Sequence, residues 1–277
     1  MTQANPAIYG PGATLANIDS RRPLLPGKYA SVRSICMCSP ATYHSMQASL
    51  SKNYSKGLTF KLAYTWGKLL DQYSATNLGQ FPQDPANPTG DRARSDFDRR
   101  SVFSGSIVYQ IPFYRNANVV VRQIFSNWSV DSLIQLSSGL PFSVVTGRDA
   151  SLTGVGYDRP NVITTPGRAS YNSEADKLNQ FFNKTAYVAN NPGQYGNSGR
   201  NPLSGPGLQN VNLSLVRSFP IGERYGRVQF RSEFFNALNH PNFGQPDGNF
   251  NNYSTSFATI TTAGDPRIMQ FALRYQF

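Results

Sequence analysis

The chain has 277 residues, enough for one large domain or two small ones, so length excludes little. Composition excludes more. Only 39% of residues are apolar and 15% charged, aromatics reach 13%, and 23 Gly stand beside 19 Pro, a balance poor in helix formers and suited to strands joined by turn-rich loops. The formal charge of +11 comes from 26 Lys and Arg spread along the chain rather than gathered in a stripe, so no nucleic-acid partner is expected.

No window approaches the roughly 18 to 20 consecutive apolar residues of a membrane-spanning helix. A mean hydropathy of -0.41 does not separate a soluble protein from a β-barrel, whose strands show only alternate residues to lipid. Met1 is followed by Thr-Gln-Ala-Asn-Pro, without the basic start and apolar run of a secretory signal. The chain is therefore expected to be a piece of a longer protein. Residues 1–42 read as the extracellular loop of a preceding hairpin, and 43–277 as the barrel portion proper. Cys36 and Cys38, one residue apart and accompanied only by His44 and His240, read as unpaired thiols; neither metal nor cofactor is expected.

Period-2 alternation gives seven strands. In Tyr43 to Asn53, His44, Met46, Ala48 and Leu50 alternate with polar residues, and after the turn Tyr54-Ser55-Lys56-Gly57 comes a second run with Leu58, Phe60, Leu62, Tyr64 and Trp66 on one face. Ser101 to Ile111 presents Phe103, Ile107 and Tyr109 before Pro112 ends it, and Val119 to Phe125 reads as a possible helical turn before Trp128 to Leu136. The fifth run is Gln209 to Phe219, the sixth Arg227 to Leu238, and the seventh Arg267 to Phe277, with Met269, Phe271, Leu273, Tyr275 and Phe277 on one face.

The connections after the first, third and fifth strands are short or moderate. Those after the second, fourth and sixth (68–100, 143–208 and 239–266) are long. Structureless loops of that length would count against an ordinary compact domain, but they are expected on the outer side of an outer-membrane barrel. This alternation directs the last strand inward, with the C-terminus at the periplasmic side. The expected fold is all-β: an antiparallel transmembrane β-barrel segment, incomplete, an open sheet if taken alone.

Strands of roughly 9 to 11 residues suit a tilted crossing of the hydrocarbon layer better than a soluble sandwich. The polar face carries Lys61, Asp131, Arg227, Arg231, Glu233 and Arg274, a set suited to a lumen. Tyr109, Phe113, Trp128, Phe219, Tyr275 and Phe277 fall at one set of strand ends and Trp66 at the other, as in interfacial girdles. The charge-dense run Arg92, Arg94, Arg99 and Arg100, interleaved with Asp91, Asp96 and Asp98, reads as a solvated loop. Its three carboxylates lack the Gly and Glu of a recognised calcium loop.

Tyr43-His44-Ser45-Met46-Gln47, the hairpin 54–66 with its Ala63-Tyr64-Thr65-Trp66, Ser138-Gly139-Leu140-Pro141-Phe142 and the stretch Phe230-Arg231-Ser232-Glu233-Phe234-Phe235-Asn236-Ala237-Leu238-Asn239-His240-Pro241-Asn242-Phe243 resemble the C-terminal barrel of TonB-dependent outer-membrane receptors. More narrowly, they are similar to the Oar-like type, which carries a carboxypeptidase-regulatory-like domain. The resemblance covers nearly the whole chain. It implies the last seven of about 22 strands, energy-coupled uptake of an unknown ligand, and a TonB complex engaged through N-terminal parts not seen here. It also implies that Phe271, Leu273, Tyr275 and Phe277 serve as an assembly signal for the barrel-assembly machinery, with outer-membrane lipid around the wall.

A passive porin or adhesin barrel is the alternative, and a soluble secreted β-rich binding protein a weaker one. No catalytic residue is expected, since the two histidines lie far apart and Glu233 reads as the ion-pair partner of Arg231, Arg227 or Arg274. With seven strands only, both sheet edges are expected to stay unpaired.

Overall fold

The structure, a computed structural model, describes residues 2–35, 39–74, 82–111, 118, 126–222 and 225–277. Cys36, Cys38, Pro112, Phe113 and the turn at Val119 to Phe125 lie outside the described residues. Seven long strands dominate: β1 (Ala41–Ser55), β2 (Leu58–Asp71), β3 (Ser101–Gln110), β4 (Trp128–Ser137), β5 (Leu208–Gly222), β6 (Gly226–Phe235) and β7 (Ile268–Gln276). Each pairs antiparallel with its neighbour in sequence, giving one open meander from β1 to β7, with the short segment Ala93–Arg94 beside the end of β2. All seven predicted strands are present. β1, β2 and β5 run to 15, 14 and 15 residues, long enough to cross a membrane and stand clear of it.

The sixth strand stops at Phe235, three residues before the predicted end. Asn236 and Asn239 adopt φ of 49° and 51°, a left-handed backbone that leaves the pleat. The Asn236 amide holds that turn: its Oδ1 accepts from His240 N at 3.0 Å, and its Nδ2 donates to His240 O at 2.9 Å. The β1–β2 connection is tighter than its sequence signature indicates. It is a two-residue turn in which Lys56 (φ 51°) and Gly57 (φ 81°) both take positive φ, matching the twist of the strands. Gly57 is required there twice over, since a Cβ would also collide with the Gln110 carbonyl of β3.

Strand register sorts the side chains into two faces. Along one row Lys52 pairs with Phe60, Phe60 with Ile107, Ile107 with Ser132, Ser132 with Leu213 and Leu213 with Phe234, which meets Met269. Residues directly opposite share a face, so this row and its every-second-residue neighbours form one continuous, mainly apolar wall. Among the described residues nothing covers it: Leu50 is 60% exposed and Leu273 75%.

The buried core lies elsewhere. Val144, Phe181, Phe182, Ala186, Tyr187, Leu203, Phe257, Ala258 and Ile260 form one cluster, all from the long connections after β4 and β6. Phe182 meets Phe257 edge-on at 5.1 Å and Tyr187 at 5.9 Å. Around this cluster are the helix α1 (Glu174–Asn179), whose first turn is capped by Ser173 Oγ accepting from Asp176 N at 3.1 Å, and two two-residue pairs, Asn161–Val162 with Tyr187–Val188 and Pro141–Phe142 with Leu203–Ser204. The N-terminal segment joins them, with Ala7 N donating to Thr153 O at 2.8 Å and Arg21 Nη2 to Leu152 O at 2.8 Å. The long loops are thus a folded cap at one end of the sheet, not structureless chain. Burial of Phe257 from the second connection against Phe182 and Tyr187 from the first offsets the entropy of ordering both.

Candidate functional site

Two surfaces can carry function, the polar face of the wall and a cleft where the cap meets it. Lys61, Asp131, Arg227, Arg231, Glu233 and Arg274 all fall on the polar face: Lys61 is opposite Ser51 and Ser106, Asp131 opposite Ser214, Glu233 opposite Ser214 and Gln270, Arg274 opposite Gln229. Glu233 pairs with Arg231, at 3.2 Å, and Arg227 Nε donates to Gln276 Oε1 at 2.6 Å. Asp131, Ser214, Arg231 and Glu233 share one recess of about 320 Å³. Phe271, Leu273 and Tyr275 lie exposed on β7, an edge of the sheet, and Phe277 just beyond it. Tyr275 is tied by its hydroxyl, which donates to Tyr225 O at 2.8 Å.

The charge-dense run is solvated only in part: Arg92 and Arg99 are exposed, but its carboxylates are not free charges. Asp91 is 4% exposed and Asp98 2%: Asp91 and Asp96 accept from the β4–β5 connection, through Arg159 and Asn201, and Asp98 ties the β2–β3 connection to the end of β2. Arg159 Nη2 pairs with Asp91 Oδ1 at 2.6 Å, and Arg159 Nε donates to Ser198 O at 2.7 Å. Arg200 is the hub: it pairs with the Asp71 carboxylate and reaches Asp96 Oδ1 at 3.5 Å, Ser74 Oγ at 3.2 Å and Asp91 O at 3.0 Å. Arg94 donates to Leu203 O and Ser204 Oγ, both at 2.8 Å, while Asp98 accepts from Leu69 N at 2.7 Å. A planar guanidinium with five donors suits such a joint, since one side chain satisfies carboxylates and orphan carbonyls together. Arg159, Arg200 and Asp71 were not singled out by sequence, and no local signal marks them: Arg200 and Asp71 are 129 residues apart.

Above this network opens a cleft of about 470 Å³, lined by Tyr73, Phe97, Tyr157, Asn201 and Gln245 together with Asp96 and Arg200. It offers aromatic faces, hydroxyls, an amide and a carboxylate. Burial raises the Tyr73 phenol above its ordinary value, assisted by Tyr157 and Asp96, so Tyr73 is a neutral hydrogen-bond donor at any physiological pH. Nearby, burial pushes Tyr195 up to about 12. Among the described residues no group of three or more His, Cys, Asp or Glu is placed to hold a metal ion; Asp91, Asp96 and Asp98 are each committed to arginine, asparagine or backbone partners.

An antiparallel meander with strands of membrane-crossing length, one apolar face left bare, and a polar face opposite defines a wall of a membrane-spanning β-barrel. Among the described residues no helix is long and apolar enough to cross a membrane, and the strands alone carry that role. The chain belongs to the family described as outer membrane beta barrel domain, whose family model matches residues 1–270. No curated protein and no solved structure matches it.

Proposed function

We propose that this chain forms barrel strands of a TonB-dependent receptor, contributing wall and ligand-facing loops to energy-coupled uptake, with the short turns and the end of β7 on the periplasmic side. The observation that carries this reading is the folded cap with its polar, aromatic-lined cleft, all at one end of a wall whose opposite face is charged and polar. An open water-filled pore needs neither an ordered cap nor a cleft. The motifs named above, from Tyr43 to Phe243, support the same family, and a sheet whose edge strands β1 and β7 have no outer partner among the described residues leaves room for the further strands of a large barrel.

The test uses the full-length protein from outer membranes. In planar bilayers the receptor reading expects no steady open-pore conductance, together with saturable binding of the periplasmic domain of TonB. Porin-like conductance and no TonB binding would overturn it. An epitope inserted at the exposed Ser254 in the cap reports orientation, and antibody labelling of intact cells is the expected result.

A further inference from the structure

The bare wall carries a cation set among aromatic rings, Arg217. Among the described residues of the seven long strands, the wall's ionised side chains by register are Lys52, Lys68 and Arg217, all cations. Lys52 and Lys68 lie on β1 and β2 near the rims. Arg217 lies within β5, opposite Trp128 on β4 and Phe230 on β6. Its guanidinium carbon is 4.2 Å from the centre of the Phe219 ring and 5.4 Å from that of Trp128. Both contacts fall within cation–π range. They hold the side chain against the wall, at the level of the short-turn rim where Tyr109, Trp128, Phe219 and Tyr275 are found.

The rings supply no hydrogen bond. Arg217 Nε is buried with no hydrogen-bond partner, and among the described residues Arg217 makes no ion pair. A planar guanidinium held against two rings at a membrane rim, without an ion-pair partner among the described residues, is matched to an anion bearing paired oxygens. On a lipid-facing surface the anion of that kind at hand is the phosphodiester of a head group, whose acyl chains would lie along the adjoining apolar pair Val130 and Leu215. We propose that Arg217, Trp128 and Phe219 form a binding site for a membrane-lipid phosphodiester at the short-turn rim. The site depends on the wall facing lipid and not on whether the barrel is a receptor or a porin.

Native mass spectrometry of the full-length folded protein, loaded from mixed micelles with phosphatidylglycerol or with diacylglycerol, tests this. Phosphatidylglycerol is expected to be retained and diacylglycerol, which lacks the phosphate, is not. Arg217→Gln should lower retention at least fivefold, Arg217→Lys should keep part of it, and Phe219→Leu should lower it while leaving the charge in place. Heat-modifiable migration on gels identifies folded variants; if Arg217→Gln does not fold, Arg217→Lys and Phe219→Leu decide. Equal retention in the folded variants, equal retention of diacylglycerol, or displacement of the lipid by millimolar inorganic phosphate would each overturn the proposal, the last by showing a free-anion site.

Discussion

The wall and the cap of this protein are built by opposite rules. In the wall each strand is ordered by ladders to its neighbours, and the apolar side chains that would form a core in a soluble sheet point outward, with Phe271 63% exposed. In the cap, local backbone pairing is minimal, with two-residue pairs and one six-residue helix, and order comes from Phe182 and its aromatic neighbours and from three arginines. A wall of this kind draws its hydrophobic stabilisation from lipid. The cap stands in water and must bury its own apolar groups.

That contrast can be broken at chosen points. Arg200→Met should have the largest effect, because it leaves the Asp71 carboxylate, 5% exposed, without its cation; a loss of about 3–5 kcal/mol is expected for breaking a buried pair. Hydrogen exchange should show it as lost protection across 82–100 and 138–207, with β4 and β5 unchanged. Phe182→Ala should cost the cap about 3–5 kcal/mol by cavity formation. In the wall, Leu213→Ala should cost about 2 kcal/mol, the transfer of the missing carbons alone, because lipid fills the space. Leu213→Arg, near the middle of the crossing, should cost about 2–4 kcal/mol and appear as loss of heat-modifiable folded protein, with the cap network of any folded fraction intact. Equal responses of wall and cap to Phe182→Ala and Leu213→Ala would dissolve the distinction.

The smallest expected effect is on pH. Burial pushes the Asp247 carboxyl up, but hydrogen bonds from Ser256, Asn252 and Asn249 outweigh it and hold the group below its ordinary 3.8. Its stabilisation is therefore present above 3.8 and lost as pH falls through the lower folded value. Asp158 behaves oppositely: burial raises it against the bonds from Ser151, so its contribution is present below 3.8 and lost as pH rises through the folded value. Protection of the Phe181 amide, which donates to Ala258 O within the cap, should fall on acidification. Asp247→Asn should flatten that fall and Asp158→Asn should steepen it.

Much of the wall was legible in the sequence. A period of two repeated over Leu58 to Trp66 assigns each side chain to a face, because a one-residue slip would move the whole apolar set to the wrong side. The end of β6 was not legible, since Phe234 to Leu238 is continuously strand-like apart from Asn236, whose left-handed backbone depends on bonds to His240 and Asp265. The polar face was readable residue by residue, yet the single pairing of Glu233 with Arg231 among three arginine candidates was decided by geometry.

The sequence by itself determined the strands and their two faces, which follow from neighbours one or two residues apart, and, from the lengths of the connections, that the long ones share one end of the sheet. Only the tertiary structure decided that those connections fold into a cap, that Asp91, Asp96 and Asp98 are committed partners rather than solvated charges, and that Arg217 lies between two rings. Those features join residues brought together by packing and strand pairing, and no local spacing encodes which arginine will meet which carboxylate or ring.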